Sequence, residues 1–206
     1  MPHDITADCP SYHSTHRSYK LTVVQQPFRA RMCGFGEKDR RPVDPPPIVQ
    51  LSVHDQFGRE DDDLQRSPFF VLHPSPAVVA PRRGIGNGRT TTRVMMGTLV
   101  SSPNVLKDVN GNFGCFFCFP DLSIRCEGVY RLRFTLVKLG DFDSLPMIEN
   151  CGGRVVAEID SEPFTVFSAK RFPGMTESTP LSKTFARQGL KIPIRNDVRK
   201  RNVDLH

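Results

Sequence analysis

The chain has 206 residues, which is the length of one domain or of one domain with tails. Apolar residues make up 38% of it and charged residues 24%, and it contains 18 prolines and 15 glycines. This composition excludes collagen, a coiled coil and full disorder, and it favours a globular fold with many turns. The longest apolar runs, such as Cys115–Phe119, are far shorter than the ~20 residues of a membrane-spanning helix, so we expect no membrane span.

Lysine and arginine outnumber aspartate and glutamate by 28 to 22, which gives a net charge of +6 and an isoelectric point near 9.2. The surplus is uneven along the chain. Residues 170–206 contain nine basic and three acidic side chains, whereas residues 51–169 contain 12 basic and 14 acidic ones. A basic surplus of this kind indicates a polyanionic partner, such as nucleic acid or an acidic membrane, and says nothing about the fold.

The amino terminus, Met1–Ile5, is polar and lacks the apolar stretch of a secretory signal. Six cysteines dispersed over 206 residues do not form the dense framework of a disulfide-rich secreted domain. We therefore expect reduced thiols and a cytosolic or nuclear protein. Residues 1–17 have no hydrophobic periodicity, and we predict a mobile tail there.

From Ser18 onward, short runs rich in β-branched and aromatic residues alternate with turn-forming residues. The predicted strands are Tyr19–Gln26, Ile48–Val53, Phe69–His73, Arg93–Val100, Gly114–Phe119, Val129–Leu139, Arg154–Ile159 and Phe164–Ser168. About eight short strands of this kind predict a mainly β fold, an antiparallel sandwich or barrel.

The clearest strand is Val129–Leu139, whose residues alternate strictly between two faces. The apolar face holds Tyr130, Leu132, Phe134 and Leu136, and the polar face holds Arg131, Arg133 and Thr135. A period of two predicts that one face lies in the core and the other contacts water.

One segment near the carboxyl terminus predicts a short helix. Thr179 suits the N-cap, Pro180 suits the first helical position, and Gly189 suits the position just past the end. Leu181 and Phe185 lie four residues apart, so they share a helix face that can pack on the sandwich.

Two patterns hint at ligand binding, and each has a simpler explanation. The run Gly84–Arg89 begins like a dinucleotide fingerprint, but arginine replaces its last glycine and no β-α-β pattern surrounds it. Cys9, His13 and His16 could gather a metal ion, yet three such residues in a tail rich in serine and proline are equally what chance gives. Neither pattern supports a nucleotide or metal site.

The cysteine pair Cys115 and Cys118, with Cys126 nearby, has a spacing found in zinc sites. On an extended strand, however, two residues three apart face opposite sides, so buried and inert thiols are favoured. The carboxylates show no paired placement suited to acid/base catalysis. We therefore predict no enzyme activity, no cofactor, no metal and no small-molecule substrate.

The best candidate for a recognition site is the segment 26–42, which carries five basic residues within 13 positions. The candidate DNA-binding residues are Arg29, Arg31, Lys38, Arg40 and Arg41; the apolar residues beside the first two are Phe28, Ala30 and Met32. An extended backbone places both guanidinium groups on one face and anchors the apolar groups on the other. Arginine pairs bidentately with guanine, and the remaining cations suit phosphates. The alternative is a solvated edge strand followed by a polar loop.

Two further basic clusters have open roles. The segment Pro81–Arg93 contains four arginines and no acidic residue, interleaved with glycines. The candidates for nuclear import or phosphate contact in the carboxyl-terminal tail are Arg199, Lys200 and Arg201. One basic triplet is weak evidence by itself.

Five ordered blocks of the sequence carry a family resemblance. They are Tyr19–Gly34, which contains Gln-Pro-x-Arg-Ala-Arg-Met-Cys-Gly, Asp39–Leu51, which contains Asp-Pro-Pro-Pro-Ile-Val-Gln-Leu, then Gly114–Leu122, Gly128–Phe134 and Phe172–Leu181. These blocks resemble the velvet domain of fungal developmental regulators over about residues 18–197. The chain is most similar to the VosA type, because the domain begins near the amino terminus and Phe185–Arg195 closes it without a large internal insertion.

The resemblance implies an immunoglobulin-like β-sandwich, similar to the DNA-binding half of Rel-type factors. It also implies that Gln26–Cys33 corresponds to their arginine-rich recognition loop. The domain organisation that we predict is a mobile tail over 1–17, a velvet domain over 18–197 and a basic tail over 198–206.

The function implied by the resemblance is sequence-specific DNA-binding regulation of fungal development, sporulation and secondary metabolism. The expected partners are double-stranded promoter DNA and a dimer partner, either a second copy or another velvet protein; no membrane partner is expected. The expected location is the nucleus, with shuttling to the cytoplasm left open. The alternative is a protein-interaction module that dimerises with other velvet proteins and does not read DNA directly.

Overall fold

The computed structural model describes residues 17–34, 40–61, 63, 67–80, 94–139 and 153–196. Its elements are β1 (Ser18–Gln25), β2 (Arg29–Arg31), β3 (Ile48–His54), β4 (Phe70–Ala80), β5 (Met95–Met96), β6 (Asn104–Lys107), β7 (Phe113–Cys118), β8 (Ser123–Ile124), β9 (Gly128–Lys138), β10 (Arg154–Asp160), β11 (Phe164–Phe167) and α1 (Pro180–Arg187). The described residues thus form a mainly β fold with a short helix near the carboxyl terminus, as the sequence predicted.

The strands form two larger sheets and one small ladder. Sheet A has the order β1-β3-β7-β6, and sheet B has the order β10-β9-β11-β2 with β4 paired to the other side of β9. The ladder joins β5 to β8. All these pairings are antiparallel except that of β2 with β11, which is parallel.

The two sheets pack face to face around one apolar core. Alternate residues of β3 and β9 point into it, and the Phe119 and Phe134 rings meet with their centroids 5.5 Å apart. Tyr130, Leu132, Phe134 and Leu136 are buried, while Arg131 and Arg133 are exposed, as the period of two predicted. Burial of this apolar surface is the main favourable contribution to folding.

Helix α1 lies on the outer face of sheet A, where Phe185 and Phe116 have ring centroids 4.8 Å apart. Thr179 is the N-cap, and its hydroxyl accepts a hydrogen bond from the Ser182 backbone N–H at 3.1 Å. Just past the end, Gly189 has a φ of 95°, a conformation that glycine adopts without strain. The predicted helix is therefore confirmed at both ends.

The cysteines of β7 lie on opposite faces of sheet A. Cys115 belongs to the core between the sheets, whereas Cys118 belongs to the smaller apolar cluster beneath α1. Burial raises the pKa of each thiol to about 12. The prediction that these two thiols are buried and face opposite sides is confirmed.

The strand predicted over Phe69–His73 is wrong in its length, because β4 continues to Ala80. Leu72 exchanges both backbone hydrogen bonds with Ser101 on the side away from β9, at 3.0 Å each. Alternate residues of a strand direct their N–H groups to the same side, so Pro74 and Pro76 lie at positions where no ladder bond to β9 is lost. The prolines therefore occupy the free edge of β4 and do not end it.

Other boundaries also differ from those predicted. Of the stretch predicted as a strand over 93–100, only Met95–Met96 is β within the described residues. The short strands β6 and β8 were not predicted, because four and two residues are too few to display a period. Both are held by neighbouring strands, β6 by β7 and β8 by β5.

Candidate nucleic-acid interface

The three residues of β2 form an edge strand of sheet B. Arg29 lies in register with Thr165 and Arg31 with Phe167 of β11. Ala30 is fully buried in the core, so the two arginines on either side of it project from the outer face of the sheet. The prediction that Arg29 and Arg31 share the face opposite Ala30 is confirmed.

The expected anchoring of Phe28 in the core is wrong. Its side chain is 67% exposed, and the guanidinium carbon of Arg29 lies 5.2 Å from the centre of its ring. A cation over an aromatic face gains roughly 0.5–1 kcal/mol at an exposed site, so the ring holds the Arg29 side chain in place. The Nε atom of Arg29 is buried and has no hydrogen-bond acceptor among the described residues.

Asp44 is bridged to β2 through its backbone, and its carboxylate is engaged elsewhere. Asp44 exchanges backbone hydrogen bonds with Arg29, at 2.8 and 2.9 Å, but its fully buried side chain turns toward the carboxyl-terminal segment. That side chain accepts hydrogen bonds from the Thr176 backbone N–H at 2.6 Å, from the Thr176 hydroxyl at 2.7 Å and from the Arg195 guanidinium. The carboxylate of Asp44 thus pairs with Arg195 and does not neutralise the charge of Arg29.

The second basic stretch, Arg40 and Arg41, is exposed and begins where the chain returns to β8. The Arg41 carbonyl accepts a hydrogen bond from the Ser123 hydroxyl at 3.1 Å. On the outgoing side, the backbone N–H of Cys33 donates to the Ile124 carbonyl at 2.9 Å. Cys33 and Arg41 are therefore both held to β8. Lys38 lies outside the described residues.

Arg125 is a basic residue of this region that the sequence did not reveal. Its backbone carbonyl accepts from Gly34 N–H at 3.1 Å, and its guanidinium donates to the Gly34 carbonyl at 3.5 Å. Burial raises the pKa of the Cys33 thiol, while the positive charges of Arg125 and Arg40 act in the opposite direction. Both cations therefore lie close to Cys33, and the pairing of 33–34 with 124–125 brings them there.

We call the surface formed by Arg29, Arg31, Arg40, Arg41 and Arg125 the basic surface. Its members come from three separate parts of the chain, and strand pairing brings them together. Arg125 stands alone in its stretch of sequence, so no charge run points to it. A correct prediction of the contact between 33–34 and β8 would have been needed to find it.

The remaining predicted basic residues fall outside the described part of the chain: Arg82, Arg83, Arg89, Arg93, Arg199, Lys200 and Arg201. The two residues that flank the 81–93 segment are described. Ala80 pairs with Val129 at the start of β9, and the Val94 carbonyl accepts a hydrogen bond from Arg125 N–H at 2.8 Å. Val94, the described residue that follows this segment, is therefore joined directly to Arg125.

Among the described residues, no group of three or more His, Cys, Asp and Glu side chains is placed to hold a metal ion. Within the same part of the chain, no helix is long and apolar enough to cross a bilayer. The feature that distinguishes the described surface is its cluster of positive charges.

The fold and this geometry define the class of protein, a β-sandwich domain that presents a basic surface along a sheet edge and the adjoining loops. The family described as Velvet factor matches residues 19–75 and 73–198. The chain therefore belongs to the velvet family.

Individual relatives agree with this assignment. The sexual development regulator umv3 of Mycosarcoma maydis is 42% identical over 217 residues, which cover 99% of this chain and 52% of that protein. The developmental and secondary metabolism regulator MVE1 of Zymoseptoria tritici is 43% identical over 205 residues, 89% of this chain and 78% of the relative. The spore development regulator RYP2 of Ajellomyces capsulatus is 40% identical, over 88% of this chain and 44% of the relative.

These relatives are named as regulators of several kinds, and their identities to the chain are nearly equal. The assignment to the VosA type therefore stays a prediction. The chain spans about half the length of umv3 and of RYP2, at 52% and 44%. Large parts of those relatives thus have no counterpart in this sequence.

Proposed function

We propose that the chain is a sequence-specific DNA-binding regulator of transcription that controls fungal development, sporulation and secondary metabolism. The observation that carries the proposal is the convergence of Arg29, Arg31, Arg40 and Arg41 with Arg125 on one surface. The names of the relatives, which describe regulators of development and metabolism, support the biological role. The protein is a regulator without enzymatic activity in this proposal.

The way in which the basic side chains are held suggests a different role for each group of them. Arg29 and Arg31 project from a strand whose central residue is buried, so their positions are well defined relative to the sheet. Such arginines can pair bidentately with guanine in the major groove, at roughly 1–3 kcal/mol of discrimination each. Lys38, Arg40 and Arg41, which follow this strand in the sequence, would contact phosphates and release counterions.

The active form in this proposal is a dimer with a second copy or with another velvet protein. A two-fold dimer would present two basic surfaces to successive stretches of a duplex, which doubles the contacts and fixes their spacing. The protein acts in the nucleus, where promoter DNA is found, and Arg199, Lys200 and Arg201 would serve import or add phosphate contacts.

The test is selection of duplexes from a random library by the purified chain, at about the physiological ionic strength of 0.15 M. We expect the wild-type protein to enrich one motif, and R29K/R31K to retain binding but lose the enrichment, because lysine cannot form the same fork of hydrogen bonds. K38A should weaken every duplex equally and lower the slope of log affinity against log salt by about 0.9. If the wild-type protein enriches no motif, the proposal is wrong.

A second candidate function, a protein-interaction module, is favoured by one apolar groove. It has a volume of about 520 Å³ and lies between the start of α1 and the edge formed by β1 and β3. Its apolar lining includes Val24, Val109 and Leu181, and Val109 is 55% exposed. In this alternative, the groove receives another velvet domain and DNA binding is absent. Light scattering with and without a velvet partner, beside a DNA shift assay, separates the two functions.

A further inference from the structure

The turn that follows β11 lies next to the basic surface. Phe167, the last residue of β11, is in register with Arg31, and its carbonyl accepts a hydrogen bond from Met32 N–H at 2.8 Å. The chain then reverses, because the Ser168 carbonyl accepts from Arg171 N–H at 3.1 Å. The two cations of this turn, Lys170 and Arg171, therefore lie within a few residues of the backbone that pairs with β2.

The side chain of Arg171 is held in place although it is 53% exposed. Its Nε–H donates to the Ser168 hydroxyl at 3.1 Å, and one terminal N–H donates to the Glu127 carboxylate at 2.9 Å. A guanidinium group has five N–H donors, so three of them have no acceptor among the described residues. These three donors are available to an anion in solution, and little side-chain freedom remains to be lost on binding.

The backbone of the turn is supported as well. The Phe172 ring packs against the Phe167 ring with centroids 6.4 Å apart, just before and after the turn. Lys170 is exposed and has no hydrogen bond or ion pair among the described residues. The turn thus presents one ordered guanidinium and one free ammonium group side by side.

Glu127 connects this turn to the basic surface. It lies two residues after Arg125, whose guanidinium contacts Gly34, and it holds Arg171 through its carboxylate. Arg125 and the turn with Arg171 therefore both adjoin the chain at and just after β2. A polyanion that lies on Arg31 and Arg125 would continue onto Lys170 and Arg171.

We propose that Lys170 and Arg171 form a second arm of the DNA-binding surface, which contacts the phosphate backbone beside the bases read by Arg29 and Arg31. This inference rests on the proposed function. The arm binds phosphodiester oxygens and carries no sequence information, since a phosphate is the same at every base pair. Its contribution is to affinity and to the orientation of β2 on the duplex.

The test compares two double variants that remove the same amount of charge. K170A/R171A removes the proposed arm, and R187A/K191A removes two exposed cations on and beyond α1, which lies on the other sheet. Affinity is measured over a series of salt concentrations for a mixed-sequence duplex and for a duplex enriched by the wild-type protein. Thermal unfolding of each variant checks that the fold is retained.

We expect K170A/R171A to weaken binding to both duplexes by the same factor and to lower the salt slope by about 1.8, for two lost phosphate contacts. R187A/K191A should leave the slope unchanged. K170R/R171K should restore both the affinity and the slope, because each position keeps a cation.

Two results would overturn the inference. An unchanged salt slope in K170A/R171A means that the turn does not contact phosphate, and an equal loss in R187A/K191A means that only net charge matters. If the wild-type protein binds neither duplex, the proposed function itself fails. If it binds and R29K/R31K loses motif preference while K170A/R171A behaves like wild type, only the second arm is wrong.

Discussion

Sheet B contains the same three-residue pattern twice, with different side chains across the ladder. Arg29-Ala30-Arg31 forms β2, and Arg131-Leu132-Arg133 lies in the middle of β9. In both cases the central residue is buried and the arginines point outward. The difference lies in the neighbouring strand, because β9 has β10 beside it and β2 ends the sheet next to β11.

On β9 the charge of Arg133 is compensated across the ladder, whereas the register partner of Arg131 in β4 is Ala77. Arg133 donates two hydrogen bonds to the Asp160 carboxylate of β10, at 2.8 and 3.1 Å, and Asp160 is its partner in the strand register. On β2 the register partners in β11 are Thr165 and Phe167, which carry no charge, and Asp44, bridged to Arg29 on the other side, directs its carboxylate to Arg195. The comparison teaches that the neighbouring strand decides which side chains an outward arginine meets, a carboxylate of β10 for Arg133 and uncharged residues of β11 beside Arg29 and Arg31.

The largest expected effect concerns Asp44, the carboxylate beside β2 that pairs with Arg195 instead of Arg29. D44A removes the acceptor of three hydrogen bonds and leaves the charge of Arg195 without its partner. Removing one member of a fully buried ion pair costs about 3–5 kcal/mol, and since Arg195 is 29% exposed the free energy of unfolding should fall by up to that amount. Urea denaturation of D44A and wild type measures it.

The control for that experiment is E177A. Glu177 is exposed and pairs with Lys183 in the same carboxyl-terminal segment, so its removal should change stability little. If D44A were as stable as E177A, the carboxylate would not hold the 176–195 segment against β2.

The next effect tests the two Arg-x-Arg strands directly. In R29A/R31A, the ratio of affinities for the enriched and the mixed-sequence duplex should fall at least about 30-fold, since two bidentate contacts contribute about 2 kcal/mol or more together. R131A/R133A removes the same charge from the same sheet and should keep the preference. A shift assay with both duplexes measures each ratio. Equal losses in the two variants would contradict the comparison.

A smaller effect uses Cys33 as a probe of the basic surface. Burial raises the pKa of its thiol, and the Arg125 and Arg40 charges oppose that rise. The R125A substitution should therefore raise the pKa further and slow alkylation of Cys33 at a fixed pH, because the thiolate is the reactive form. Mass spectrometry after timed exposure to iodoacetamide, over a series of pH values, measures the rate.

The core cysteines supply the internal reference for this measurement. Cys115 and Cys118 have pKa values of about 12 and should react only after unfolding. R131A should leave the Cys33 rate unchanged, since Arg131 is not among the charges that act on it. A rate that R125A and R131A lower equally would show that net charge, not local placement, governs the thiol.

The smallest effect concerns the compensated strand. The hydrogen bond from Arg133 lowers the pKa of Asp160, so this pair stabilises the fold above the ordinary aspartate range near 4. The contribution is lost as the pH falls through the lowered pKa. R133A should therefore be slightly less stable than wild type at neutral pH, with the difference vanishing in strong acid. Denaturant titrations at several pH values test this, and a difference that persists in acid would assign the effect to packing.

Much of the fold could be predicted because its elements carry strong local signals. The alternation of β9 and the capping residues of α1 are properties of contiguous residues, and both predictions are confirmed. The extent of β4 could not be predicted, because Pro74 and Pro76 break a central strand but not an edge strand. Whether β4 becomes a central strand or an edge strand depends on where it lies relative to β9.

For the candidate site, the sequence identified Arg29, Arg31, Arg40 and Arg41 but not the residues that surround them. Arg125 and Arg171 come close to β2 through pairings that join residues more than 90 positions apart. No local pattern encodes such a contact. The anchoring of Phe28 was wrong for a related reason, since at a sheet edge a ring can lie outside the core and pack against its neighbouring arginine.

The sequence by itself determined the velvet family, the sandwich of short strands, the capped helix and the outward direction of alternate arginines, because these follow from residue type and local period. Only the tertiary structure decided which residues lie across the ladder from each arginine. Arg29-x-Arg31 and Arg131-x-Arg133 are the same as local patterns. Their neighbours differ because strand order within sheet B sets which side chains lie near each arginine in space, and electrostatic compensation depends on that distance.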